Sequence, residues 1–261
     1  MLGLAQKLLL RQTLIKVPQI TLIFWIIKLL STALGESTSD YLVYSINPYV
    51  AVAIGFVGLV LALSLQLRVK RYIPWVYWLA VVMVAVFGTM AADVLHVGFG
   101  IPYVVTTVFF AVCLIIVFAA WYFTERTLSI HSIYTLRREL FYWATVMTTF
   151  ALGTAAGDMT AATLGLGYLL SGILFAVIFF IPGVGYWKFK WNNIFSFWFA
   201  YIITRPFGAS FADWFGKPIL GGLGLGDEIV SLVLTILIII FVAYLSITHE
   251  DIEPDRRSLS R

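Results

Sequence analysis

The sequence predicts an all-α polytopic membrane protein whose eight transmembrane helices form four parallel tandem hairpins in a pseudo-symmetric bundle, with both termini cytoplasmic. Three observations carry that prediction. Hydrophobic residues fill 61% of the 261 positions and charged residues only 11%, a composition outside the range of soluble domains. Eight apolar stretches, at 18–44, 48–67, 73–97, 102–124, 139–162, 164–187, 192–214 and 227–248, are each near the length that crosses about 30 Å of hydrocarbon. One register, W-x9-G-x4-D, recurs four times: Trp25/Gly35/Asp40, Trp78/Gly88/Asp93, Trp143/Gly153/Asp158 and Trp198/Gly208/Asp213. So little chain lies between the stretches that a sizeable soluble catalytic domain is excluded.

Residues 1–16 precede the first span. Seven leucines and isoleucines interleaved with Lys7, Arg11 and Lys16 predict an interfacial amphipathic segment. The Ser31–Gly35 run superficially resembles a signal-peptide cleavage site, but Ala151-Leu152-Gly153 holds the same place in the third unit, so it belongs to the repeat. Repeat 1 occupies 17–68, repeat 2 69–130, repeat 3 131–188 and repeat 4 189–248, with a tail over 249–261. Breakers close each hairpin: Asn47-Pro48, the Gly98–Pro102 stretch, Gly165-Leu166-Gly167 and the longer Gly216–Gly226 loop. Of the 17 Lys and Arg, 14 lie before the first span, between repeats or after the last span. The turns within repeats carry only Lys217. The positive-inside rule therefore places the inter-repeat loops in the cytoplasm and the intra-repeat turns outside. The net charge of +4 follows from that topology; it implies contact with anionic lipid and gives no reason to expect nucleic acid. Cys113, alone in an apolar run, excludes disulfides and thiolate metal clusters.

The repeats start 53, 65 and 55 residues apart, and an aromatic residue precedes each Trp (Phe24, Tyr77, Tyr142, Phe197). Three residue types in one register four times over mark a tandem array of a single unit. An even number of spans per unit gives all four the same orientation, unlike inverted-repeat transporters. A ring of four hairpins or two pairs of hairpins would each satisfy the pattern.

At about 100° per residue, the seventh, eleventh and fifteenth residues after each Trp share one face of the first helix. That stripe holds Thr32, Glu36 and Asp40; Ala85, Thr89 and Asp93; Phe150, Thr154 and Asp158; and Arg205, Ala209 and Asp213. Lipid cannot solvate these groups, so the stripe is expected to face the bundle interior. Beside it, Gly35/Ser39, Gly88/Ala92, Gly153/Gly157 and Gly208/Ala212 form small-xxx-small pairs that admit close backbone approach. The odd-numbered helices should line a polar axis, and the last, almost pure Leu/Ile/Val, should face lipid. Each Asp lies about 22 Å along the helix from its Trp, which puts Trp near the cytoplasmic side and the aspartates in the outer half.

The fourfold tryptophan-marked two-helix unit resembles a bacterial family of uncharacterised membrane-anchored proteins built from four tandem repeats of unknown function. The resemblance covers about residues 18–248 and implies the eight-span architecture; it implies no activity. Arg205-Pro206 departs from the pattern of the other three repeats on the seventh position after Trp.

Intramembrane ionisable groups are costly and mark candidate sites. Asp40, Asp93, Asp158 and Asp213 offer hard oxygen ligands to a metal, with Glu36 and the hydroxyls of Thr32, Thr89 and Thr154 deeper on the same face. The bland alternative for each Asp is a helix-end cap or a bond to turn amides. Glu36, one turn from Asp40, forms a carboxylate pair suited to a coupling proton or an asymmetric metal site. Arg205 is expected to neutralise a carboxylate, hold a gate or bind an anion; Lys28 to snorkel or pair with Glu36. His96 reads as a helix-end residue, Asp227 and Glu228 as favourable charges on a helix N-terminus, and Trp25, Trp78, Trp143 and Trp198 as packing or interface anchors. No protease, hydrolase or phosphate-loop motif occurs, and no cofactor is implied. The expected function is transport of a small cation, a hard divalent ion such as Mn2+ or Mg2+ with protons as coupling ion, across a bacterial inner membrane; a homo-oligomer is compatible with it. Two rivals stand beside it: a proton-coupled carrier of an organic or anionic solute, and a non-transporting membrane scaffold.

Overall fold

The computed structural model describes residues 15–252, so most of the segment expected over 1–16 and of the tail expected over 249–261 lies outside the described residues. Eight long helices follow in order: α1 (Leu22–Ser45), α2 (Pro48–Arg68), α3 (Pro74–Asp93), α4 (Tyr103–Glu125), α5 (Leu136–Asp158), α6 (Gly167–Phe189), α7 (Asn193–Gly216) and α8 (Asp227–Thr248). Thr21, Asn47, Thr135 and Asn192 cap the starts of α1, α2, α5 and α7 through side-chain oxygens. Single turns of π-helix, Val94–Gly98 and Met159–Thr163, extend α3 and α5.

The first helices of the repeats form a closed ring. α1 packs on α3, α3 on α5, α5 on α7, and α7 returns to α1. The repeat glycine makes each joint. A Cβ on Gly35 would collide with Ala85, on Gly88 with Phe150, on Gly153 with Arg205, and on Gly208 with Thr32. Each of those partners is the seventh residue after Trp in the next repeat, so one contact recurs four times and closes on itself. Ridge-to-groove packing this tight needs a residue without a side chain at the crossing.

The outer helices do not pack mainly on their own hairpin partners. α2 lies on α3, α4 on α5, α6 on α7, and α8 returns to α1. A short turn fixes only which helix ends are adjacent; side-chain fit selects the partner. Gly55 and Gly58 of α2 sit against Met90 and Met83 of α3, and Gly172 of α6 sits against the Phe211 ring of α7. Trp121 of α4 stacks on Phe141 of α5, with centroids 6.4 Å apart. The expected hairpin is therefore a unit of sequence, whereas the packing unit spans two repeats.

Five helices, α2, α3 with its π turn, α4, α6 and α8, are long and apolar enough to cross a membrane. α1, α5 and α7 are equally long, at 24, 23 and 24 residues, but carry the polar stripe. The outer helices expose leucine, isoleucine, valine and phenylalanine along their outward faces, as a lipid-facing wall requires.

Candidate functional site

The ring encloses an axis of stacked layers, each contributed by equivalent positions of the four repeats. At one end the tryptophans interlock with the aromatic residue that precedes the neighbouring Trp. Phe24 meets Trp78 at 5.6 Å, Tyr77 meets Trp143 at 5.7 Å, Tyr142 meets Trp198 at 6.2 Å, and Phe197 meets Trp25 at 5.9 Å between centroids. The Tyr77 and Tyr142 hydroxyls are 2.5 Å apart, and the Tyr72 hydroxyl donates to Asp251. All four tryptophans thus join one aromatic layer that closes the axis, each packed on the aromatic residue of a neighbouring repeat.

Three residues further along, Lys28 is 1% exposed and its Nζ has no hydrogen-bond partner. It lies 4.1 Å from the Phe150 ring centroid and 4.3 Å from that of Tyr201. The sequence suggested snorkelling or pairing with Glu36. Instead the ammonium is held by aromatic faces, because Arg205 has taken the glutamate.

Arg205 plugs the middle of the axis and is fully buried. Nη2 donates to Glu36 Oε2 at 2.6 Å, to Thr154 Oγ1 at 2.6 Å and to Thr89 Oγ1, while Nη1 donates to the Thr32 carbonyl at 3.0 Å. Glu36, Thr89 and Thr154 are the eleventh residues after Trp in the other three repeats; the fourth repeat has Ala209 there, leaving room for the guanidinium. The hydroxyls of Thr89 and Thr154 donate back to the Ala85 and Phe150 carbonyls, so their lone pairs turn to Arg205. These threonines, expected to face an ion, serve a protein cation. The Thr32 hydroxyl donates to the Leu29 carbonyl at 2.6 Å and packs against Gly208; only its carbonyl faces the axis.

One turn further lie the aspartates. Asp40 and Asp213 are buried at 7% and 2% exposure, and with Glu36 they present carboxylate oxygens within 4.8 Å of one another. Asp93 and Asp158 are half-buried and lie outside that group; each sits where the α-helix passes into its π turn. The expected symmetrical ring is therefore lopsided, concentrated where repeat 4 meets repeat 1. The reason is Lys217, whose Nζ is 2.8 Å from both Asp40 Oδ2 and Asp213 Oδ1. Burial opposes the Lys217 charge, but Asp213, Asp40, Glu36 and Asp158 outweigh it and hold its ammonium well above the ordinary lysine range. Sequence reasoning passed over Lys217. Its signal was present: four residues after Asp213, it is the one basic residue among the intra-repeat turns. His96 stands apart, bonded to the Ile101 carbonyl at 2.7 Å and stacked on Tyr103. Asp227 lies against Gly216 at the start of α8.

Residues 23–72, 76–127, 141–190 and 196–251 match, as four successive copies, the Repeat of Unknown Function (DUF347) family. The chain belongs to that family. Each matched DUF347 segment contains one inner helix of the ring and the outer helix that follows it. The joints between DUF347 repeats, glycine to the next stripe and aromatic to the next Trp, are thus the repeat's own contacts made cyclic. No curated protein and no solved structure matches the chain.

Proposed function

We propose that this DUF347 protein spans the bacterial inner membrane eight times, with both termini cytoplasmic, and carries a small hard cation through the axis of its ring. The aspartate end faces outward and receives the ion; the tryptophan end faces the cytoplasm. The observation that carries the reading is the convergence of Glu36, Asp40 and Asp213 from two repeats at one end of the bundle, with a positive charge already seated between the aspartates.

Charge balance supports it. On the axis five carboxylates (Glu36, Asp40, Asp93, Asp158 and Asp213) face three cationic side chains (Lys28, Arg205 and Lys217). Two negative charges remain if all are ionised, which a divalent ion or two protons would neutralise. Oxygen-only ligands favour Mg2+ or Mn2+ over softer metals. Arg205 and the aromatic layer below it close the path inward, so the conformation described is shut at its centre. Passage requires Arg205 to leave the threonine layer, and Glu36, shared between that layer and the aspartates, couples ion arrival to the plug. The buried Tyr77–Tyr142 pair offers hydroxyls for proton movement on the cytoplasmic side.

The anionic-solute alternative has less support. The terminal nitrogens of Arg205 are engaged by Glu36, the threonines and the Thr32 carbonyl, and Lys28 lies between rings rather than open to a solute. The test is a flux screen in proteoliposomes. Wild type should move Mn2+ or Mg2+, and Asp158→Asn and Asp213→Asn should each lower the rate by at least about tenfold, about 1.4 kcal/mol, without loss of folded protein. Wild-type rates no higher than in protein-free liposomes across divalent ions, monovalent ions and protons would refute transport and leave the scaffold reading; equal non-zero rates in wild type and both variants would refute the aspartate site.

A further inference from the structure

Lys217 is the one part of the aspartate layer that the repeat does not supply. Four residues beyond the aspartate, the first three repeats carry Tyr44, Val97 and Ala162; only the fourth carries lysine. Its backbone is pinned. The Lys217 N–H donates to the Asp213 carbonyl at 2.9 Å, and its own carbonyl lies so close to Gly222 that a Cβ there would collide. The loop then doubles back along α7, with Leu223 N–H donating to the Trp214 carbonyl at 2.6 Å and Leu225 N–H to that of Phe215 at 2.9 Å. The side chain is not pinned. The aspartates hold its tip, the nearest ring face is Tyr168 at 5.6 Å, and the side chain is 18% exposed. A flexible four-carbon stem can therefore swing the ammonium off the carboxylates, toward the part of the side chain that is exposed, without moving the chain.

We infer that Lys217 is a tethered counter-ion that occupies the cation site when no ion is bound and makes that site select divalent over monovalent cations; this rests on the cation-site reading above. The ammonium is a compact point charge placed 2.8 Å from one oxygen of each aspartate, where an ion bridging Asp40 and Asp213 would sit. Because it is tethered, it competes at an effective concentration of about millimolar or more. An incoming ion must displace it. A monovalent ion exchanges one positive charge for one, gains no electrostatic energy and still loses its hydration. A divalent ion exchanges one for two and neutralises the aspartate pair. Glu36 adds little further discrimination, since Arg205 already compensates it. The lysine therefore acts as a charge filter at the mouth of the axis, raising the threshold for Na+ or K+ far more than for Mn2+ or Mg2+.

The experiment measures Mn2+ binding to the purified full chain in detergent, from loss of the free-ion paramagnetic resonance signal, with and without a large excess of Na+. Wild type, Lys217→Gln and Lys217→Arg are compared. The glutamine variant should bind Mn2+ about tenfold tighter or more and become sensitive to Na+, while wild type and the arginine variant stay insensitive to Na+. Equal Mn2+ affinity and equal insensitivity to Na+ in wild type and Lys217→Gln would overturn the counter-ion and leave the cation site standing. Absence of Mn2+ binding in all three folded proteins would overturn both. Should Lys217→Gln not fold, wild type alone decides. Saturating Mn2+ should then speed acylation of Lys217 by an amine-reactive reagent, read by peptide mass spectrometry; an unchanged or slower rate overturns the inference.

Discussion

At the scale of single residues, the centre of the molecule is an ion pair that the interior cannot spare by halves. Arg205 and Glu36 are 0% and 2% exposed and 2.6 Å apart, far from water that could solvate either alone. Removing one partner of such a pair costs about 3–5 kcal/mol, because the other is left charged and uncompensated. Arg205→Gln should therefore lower unfolding stability in mixed micelles by about that amount. Adding Glu36→Gln to it should recover most of the loss. A double variant no more stable than Arg205→Gln would show that the two groups are energetically independent. The stripe that holds these residues was legible in the sequence, since Thr32 and Glu36 stand seven and eleven residues after Trp25, and Arg205 seven after Trp198, on one helical face. Which side chain met which was not. Periodicity gives the face of a helix, but the partner is set by neighbours in other repeats. Lys28 illustrates the limit: about two turns from Glu36 in sequence, it loses that glutamate to an arginine 169 residues further along than Glu36.

At the scale of elements, the repeat glycine explains why the unit exists. Its lack of a side chain lets the next inner helix approach until Cβ contacts become backbone contacts. Gly88→Ala would place its Cβ 2.7 Å from that of Phe150, an overpacking strain worth about 1–3 kcal/mol. Gly183→Ala is the matched control: it lies within α6 with nothing within 4 Å of a built Cβ, and should be neutral or stabilising by up to about 1 kcal/mol. Thermal unfolding of both variants in one detergent checks the pair, and equal shifts would contradict the proposed joint. The eight elements themselves were readable from apolar length, and most ends lie within a few residues of expectation. The π turns after Asp93 and Asp158 were not, because an extra residue in a turn leaves no compositional mark. Nor was the choice of partner for the outer helices, which small residues such as Gly55 and Gly172 make through fit rather than order along the chain.

At the scale of the whole molecule, one contact pattern applied four times would give a symmetrical ring, and the fourth repeat breaks it. Arg205 replaces a small or apolar residue at the axis, Ala209 makes space for it, and Lys217 reaches back to the first repeat. These changes draw the acidic layer toward the seam between repeats 4 and 1, giving a symmetrical scaffold an asymmetric site. The four-unit array was plain in the W-x9-G-x4-D register, and the DUF347 match covers the same four units. The seam was hinted at by the Arg205-Pro206 departure and by Lys217 in the last intra-repeat turn. The most direct measurement of the central claim is anomalous diffraction from crystals soaked in Mn2+. A peak bridging the Asp40 and Asp213 carboxylates, with the Lys217 ammonium displaced, is the predicted result. Saturating Mn2+ that leaves Lys217 between the two aspartates, with density only on the outer surface, would contradict the account.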